Sequence, residues 1–412
     1  NPGSHGIFDF IQRNAKDQSL FLTLSEIVQE GRRITAHKRY QGTPFWDVLS
    51  KRGIPSYVYF CPNTFPPSPL KGKMFSGMGV PDITGTMGKF SFYTTRPLDD
   101  SDKESRGRII HVSSGTQVQT ELYGPMSEGS SGRKELTVPL RIRRGERELH
   151  LDIGDPRSSL AVQLGTWSPW VRVRFHPGFA RTIDGIVRFY VKAVQPDLEL
   201  YVTPVNFDPR RPFLPVSYPS GFASSLARDT GLFYTQGMPH DTCALSEGRI
   251  DEKAYVQMAD TIFEERQEIL FHELKDFRGG FFFFYFDTLD MVQHMFWRYN
   301  DKRHPLYEND PENEAVIGQY YQKIDRMLQR VMDQMDKDTL LIVVSDHGFA
   351  SFKKAVHLNR WLAAQGVLSL KRGVEESGPF FEQVDWTKTS AYALGVGGIY
   401  LNRADRKSTR LN

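Results

Sequence analysis

Gly279-Gly280-Phe281-Phe282-Phe283-Phe284-Tyr285-Phe286-Asp287-Thr288-Leu289-Asp290-Met291-Val292-Gln293-His294 is one of two stretches whose reading decides the fold. The other is Leu340-Leu341-Ile342-Val343-Val344-Ser345-Asp346-His347-Gly348. In each, an uninterrupted apolar run leads straight into acidic residues and a histidine. Runs of this kind, bounded by turn residues, read as strands buried on both faces, the habit of parallel sheets. In an open α/β sheet the ligand crevice lies at the carboxyl ends of the strands. Both acid–histidine pairs are expected there.

Asp290 and His294 are four residues apart, so they share a face if the chain turns helical after the strand. Asp346 and His347 are adjacent, so they cannot share a helix face, but in a loop they splay and serve one ion or two. His357 follows ten residues after His347. All five are ligand types for a borderline-soft divalent ion such as zinc. Blander readings compete. Asp287 before Thr288 suits a helix cap, and Asp-His-Gly suits a turn with Gly348 at positive φ. A lone histidine is more often a satisfied polar residue than a ligand. Two pairs, each at the end of a strong strand run, with a further histidine downstream, outweigh these and predict a metal site.

At these positions the chain resembles the alkaline phosphatase superfamily, and within it the type I phosphodiesterase/nucleotide pyrophosphatase branch. The resemblance is carried by Asp290-x-x-x-His294, by Ser345-Asp346-His347-Gly348-Phe349 and by His357-Leu358-Asn359-Arg360-Trp361-Leu362. It implies two divalent metal ions, zinc with manganese as the alternative. Asp290, His294 and His357 would hold one ion, and Asp346 and His347 part of the other. It also implies an Asp near the start of the fold and a Ser or Thr nucleophile. Asn1-Pro2-Gly3-Ser4-His5-Gly6 is similar to the stretch that follows the nucleophile helix in such families. Both groups are therefore expected upstream of Asn1, and no residue here is assigned as the nucleophile. On that reading this stretch alone holds roughly one zinc, by ligand count, and turns over negligibly. The competing reading of Gly3-Ser4-His5 is an expression-tag remnant.

Composition agrees with a soluble globular enzyme. The 412 residues suffice for more than one domain's worth of core. The net charge of +3 is too small to argue for a nucleic-acid polymer or a membrane surface. Cys61 and Cys243 are too few and too far apart for a disulfide framework or a cysteine zinc site, so ligands must be histidine and carboxylate. No apolar segment reaches the ~18–20 residues that span a bilayer. Compartment and oligomeric state stay open.

The expected fold class is α/β: an alkaline-phosphatase-like, mainly parallel sheet flanked by helices and interrupted by a β-rich insert. Residues 1–102 form the first part of the core, 103–215 the insert, and 216–404 the second part with the metal ligands. Residues 405–412, polar and basic after a good strand, read as a non-native tail. Helices are expected over 20–29, 44–51, 250–274, 315–335 and 358–364, a strand over 56–60, and strand or loop over 386–392 and 398–401. Residues 72–88, rich in Gly, Met and Ser, read as an irregular lid. In 103–215, β-formers cluster between regularly spaced turn residues. Arg172, Arg174 and Arg188 there suit either an anionic substrate or, more commonly, a solvated sheet face. Asn63, in the loop after the 56–60 strand, is a weak candidate for substrate binding. Trp297, Tyr299, His304 and Tyr307 could border a pocket, with His304 a loop histidine rather than a ligand.

The chemistry this implies is hydrolysis of a phosphate ester on a small phosphorylated substrate, a phosphodiester or nucleotide-like one on the family likeness. The alternatives are a sulfatase or phosphomutase of the same superfamily. A non-catalytic metal-binding scaffold, whose β-rich insert holds a partner or glycan, is the rival from another class.

Overall fold

The computed structural model describes residues 2–14, 20–30, 33–129, 132–154, 159–178, 181–378 and 381–402. The expected tail at 405–412 lies outside the described residues. The architecture is mixed α/β, with several sheets and helices. The chain divides into two compact units, residues 27–37 with 44–351, and residues 1–26, 38–43 and 352–412.

The larger unit holds the sheet that matters for the site. Its strands are ordered Ser217–Tyr218, Gly72–Phe75, Ser56–Tyr59 and Phe281–Phe284. The last three run parallel, with Phe281 opposite Ser56 and Ser56 opposite Gly72. Ser217–Tyr218 is antiparallel. The phenylalanine run divides by strand alternation. Phe282 and Phe284 pack on the two main apolar clusters, around Tyr59 and Phe75 and around Phe263 and Phe296. Phe281 and Phe283 pack on Val58, Leu70 and Met74.

The Gly72–Phe75 strand corrects the start of the stretch read as an irregular lid or connection; residues 76–88 are irregular. Gly72 has φ +137, and a Cβ there would lie 2.1 Å from the Ser56 carbonyl oxygen. Glycine here permits close strand approach and marks no loop.

Residues 340–344 also depart from expectation. They join no sheet, and Leu340 and Val344 are 81% and 75% exposed. The run has the composition of a buried strand, but pairing needs a neighbouring edge. Among the described residues the sheet ends at Phe281–Phe284, which pairs only with Ser56–Tyr59. Composition sets a propensity, and the ladder needs a partner.

Residues 108–207 are dominated by antiparallel strands. A long hairpin, Gln117–Gly129 with Gly132–Arg144, extends through Glu148–Ile153 to Ser159–Gln163. Ser91–Thr94 lies in one sheet with Arg108–His111, Glu199–Val202 and Phe189–Ala193. The arginines read either as anion binders or, more commonly, as a solvated sheet face are engaged within the chain. Arg172 pairs with Asp208 and Arg174 with Asp184, both at 2.6 Å. Arg188 donates to the Ser168 carbonyl and the Thr261 hydroxyl.

Helix Glu252–Leu274 starts at Asp251, whose side chain accepts from the Ala254 amide. Pro311–Met332 starts at Asp310 in the same way, with proline in its first turn. Phe45–Lys51 is also helical.

The smaller unit has its own core of Leu362, Leu368, Val384, Tyr392 and Leu394. Helix Leu358–Ala364 and the hairpin Ala391–Leu394/Gly398–Leu401 supply most of it. Residues 20–29, expected as helix, instead give strands Leu20–Leu22, paired with Ile11–Arg13, and Glu26–Glu30. Thr23, Ile27 and Val28 are β-branched and favour strand where tertiary partners exist. Among the described residues no helix is long and apolar enough to cross a membrane.

Candidate metal centre

The chain turns helical directly after the Phe281–Phe284 strand. Helix Thr288–Asn300 buries Val292, Phe296 and Tyr299, at i, i+4 and i+7. A second stripe, Asp290, His294, Trp297 and Asp301, follows the same period and carries the chemistry. Asp287 is the N-cap residue but makes no side-chain cap bond. Its Oδ2 accepts instead from Arg266, at 3.0 Å.

Segment 345–351 runs along that second stripe, and from His347 onward alternate residues touch it. His347 Nε2 is 3.5 Å from Asp290 Oδ1. The Phe349 ring lies 4.8 Å from that of His294 and 5.8 Å from that of Trp297, stacked on the latter. The Ser351 hydroxyl accepts from Trp297 Nε1 at 3.1 Å and donates to Asp301. Helix period and strand period therefore mesh, and the meshing places Asp346-His347 beside Asp290 and His294.

Four of the five expected ligands are thus brought together. Asp290 Oδ1 is 3.5 Å from His294 Nε2 as well, and His347 Nε2 is 3.9 Å from Asp346 Oδ2. His357 belongs to the smaller unit, where it is the N-cap residue of Leu358–Ala364 without a side-chain cap bond. Among the described residues no group of three or more His, Cys, Asp or Glu side chains stands in closed metal-holding geometry. The four converge, and at 3.5 Å they neither coordinate a common point tightly nor hydrogen-bond well.

The electrostatics suit a cation. Asp290 is the most buried of the four, 22% exposed at its side chain, and its Oδ1 has no hydrogen-bond partner in the chain. Burial pushes its carboxyl above the usual range, against the pull of His294 and His347. Contact with the Gly348 carbonyl, and then Asp346, raises the His347 imidazole. Tyr285 is pushed up to about 12, first by burial and then by Asp287, Asp346 and Asp290. Three carboxylates thus act on one tyrosine, a field that a divalent ion would neutralise.

The remaining expectations sort as follows. Asn63 has φ 58, and its buried Oδ1 has no partner in the chain. His304 Nδ1 accepts from the Leu306 amide at 3.0 Å, a loop histidine. Gly348 is not at positive φ, so the Asp-His-Gly turn needs no glycine-only conformation. Cys61 and Cys243 are free thiols. Sequence reasoning gave no role to Phe349, Ser351 or Arg266. The alternation of His347, Phe349 and Ser351 was a readable signal for the first two, whereas Arg266 left none.

With this geometry in place, comparison with known proteins gives one match, over a little under half of the chain. Residues 211–410 match the family model of type I phosphodiesterase / nucleotide pyrophosphatase. This is consistent with a phosphodiesterase-like protein of the alkaline phosphatase superfamily, and Asp290, His294, Asp346 and His347 were read toward the same family. All four lie inside the matched stretch. At the level of that family the function is phosphoester hydrolysis, on small phosphorylated substrates. No curated protein and no solved structure matches the chain.

Proposed function

We propose that Asp290, His294, Asp346 and His347 form the metal-binding part of a two-ion phosphodiester hydrolase. One observation carries the reading: a single buried carboxylate oxygen, Asp290 Oδ1, stands 3.5 Å from the Nε2 atoms of both His294 and His347. For Asp290 and His294 this is close to the separation of about 3.3–3.4 Å between two ligands bonded at about 2.0–2.1 Å to one tetrahedral ion, and for His347 it sets the second ligand pair beside the first. A small inward movement turns a poor hydrogen-bond arrangement into a coordinating one. The donor set, carboxylate and imidazole without thiolate, suits zinc and tolerates manganese.

Asp290 and His294 would hold one ion, to which the family resemblance adds His357, and Asp346 and His347 would contribute to the other. Divalent ions so held polarise a phosphoryl oxygen, activate a hydroxyl and stabilise the leaving alkoxide. The chain's own residues supply orientation. Phe349 braces the His294 and His347 rings from one side, and Trp297 backs Phe349. Residues 103–215 are read as an insert in the phosphohydrolase core.

Zinc content after equilibrium dialysis tests the metal centre. Bis-p-nitrophenyl phosphate, assayed on protein that carries a hydroxyl nucleophile, tests the reaction. Zinc retained by the wild-type chain and lost from His294→Ala is expected, with p-nitrophenol release that depends on metal. A wild-type chain that retains no zinc would sink the reading.

A further inference from the structure

Behind the four ligands lies a second set of polar groups that the metal reading does not use. His240 is fully enclosed, its side chain 1% exposed, and Nδ1 lies 3.8 Å from Asp287 Oδ1. Among the described residues neither ring nitrogen has a hydrogen-bond partner, nor does Asp287 Oδ1 or the Thr288 hydroxyl. Leaving a buried donor or acceptor unpaired costs about 1–3 kcal/mol, so such a concentration at one strand end requires a reason.

The surroundings hold these groups firmly. Arg266 is 4% exposed; it donates to Asp287 Oδ2 at 3.0 Å and to the Tyr285 carbonyl at 3.1 Å. His240 ends a loop that cannot shift outward easily. The Gly237 amide donates to the Val80 carbonyl at 3.0 Å, and a Cβ at Gly237 would lie 2.3 Å from the Gly77 carbonyl oxygen. Burial drives the His240 imidazole down to about 4. It is therefore neutral at pH 7 and carries one N–H. Asp287, three residues before Asp290, is the group through which this N–H can act on the ligand helix.

Resting on the two-ion reading above, we propose that His240 is a positioning residue for the metal centre. Its Nδ1–H closes onto Asp287 Oδ1 when Asp290 and His294 draw in around an ion. With Arg266 on the other oxygen, both lone-pair faces of Asp287 are then engaged and the first turn of the Thr288–Asn300 helix is locked. Groups that orient first-shell ligands in this way typically change metal affinity 10–100-fold when removed. The gap of 3.8 Å is too wide for a hydrogen bond and too narrow to seat a water between the two groups, so direct closure is the movement the geometry allows.

Cobalt(II) titration of the whole chain tests this, read by the visible d–d bands, with apo thermal unfolding alongside. Three proteins are compared: wild type, His240→Phe, which keeps volume and removes the donor, and His240→Asn, whose amide nitrogen stands near the Nδ1 position. The expected result is a cobalt affinity about 10–100-fold weaker in His240→Phe, with altered bands and an apo Tm equal to or above wild type. His240→Asn should restore both bands and affinity. Cobalt binding by His240→Phe identical to wild type overturns the inference and leaves the metal centre standing. Failure of His240→Asn to restore the bands, when it folds, overturns the donor role. No cobalt bound by wild type overturns the metal centre itself, and this inference with it.

Discussion

Asp290 Oδ1 and His347 Nε2 come within 3.5 Å of each other across 57 positions of sequence, the carboxylate from a helix and the imidazole from an extended segment. The contact exists because the two backbones mesh. Asp290, His294, Trp297 and Asp301 form one helical stripe, and His347, Phe349 and Ser351 are the alternate residues that lie along it. If the pair holds metal, Asp290→Ala and His347→Ala should each weaken zinc binding by 100-fold or more, beyond the 10–100-fold typical of supporting residues. Competition against a chromophoric chelator measures this directly.

Phe349→Ala should weaken zinc binding about 10-fold without removing a ligand, since the ring braces both imidazoles. Phe349→Leu should recover part of the loss. An affinity unchanged in Phe349→Ala would show that the ring packing does not set the ligand geometry.

The pH response should reverse on metal binding. The His347 imidazole titrates above its ordinary value. In the metal-free chain its charged form therefore adds stability that is complete below the unfolded value of about 6.5 and is lost as pH rises through the raised one. Zinc takes only the neutral ring, so with zinc, stability should climb across the same window. Thermal unfolding between pH 6 and 8, with and without zinc, reads both slopes. The same slope in both states would contradict the assignment of His347 as a ligand.

Asp290→Asn should stabilise the metal-free chain at neutral pH, by about 1 kcal/mol at most given partial exposure. The wild-type carboxyl is raised by burial. The unfolded state thus holds fewer protons above about pH 4, and the native state loses stability as pH rises through that range. The gain should shrink below pH 4, where both states are protonated, and zinc should turn it into a loss. Denaturant melts at pH 3.5 and 7 check the sign.

Val343 is 65% exposed in an unpaired apolar run. Such edges promote self-association. Val343→Lys should raise the concentration at which the chain stays monodisperse by light scattering, with zinc affinity unchanged. Greater aggregation in the variant would mean that the run is covered in solution.

Much of this was legible from residue order alone. The Phe281–Phe284 strand, the turn into helix and the shared face of Asp290 and His294 follow from local periodicity, because burial alternates every two residues on a strand and repeats every 3.6 on a helix. The helices at Glu252–Leu274 and Pro311–Met332 were announced by their apolar spacing, whereas the cap Asp310 that starts the second was not read. The same local signals failed at residues 340–344 and at 20–29. There the outcome depends on whether a partner edge is in reach, and composition says nothing of partners.

What only the tertiary structure decided is the company each group keeps. Nothing in the sequence links His240 to Asp287, Arg266 to the Tyr285 carbonyl, or Gly72 to Ser56. The first two arise beyond the carboxyl end of the Phe281–Phe284 strand, and the third where two parallel strands begin side by side. Residue types thus named Asp290, His294, Asp346 and His347 as candidate ligands, since coordination chemistry belongs to side chains. The unpaired, buried state of the groups behind them is a property of enclosure, and enclosure exists only once the chain has folded.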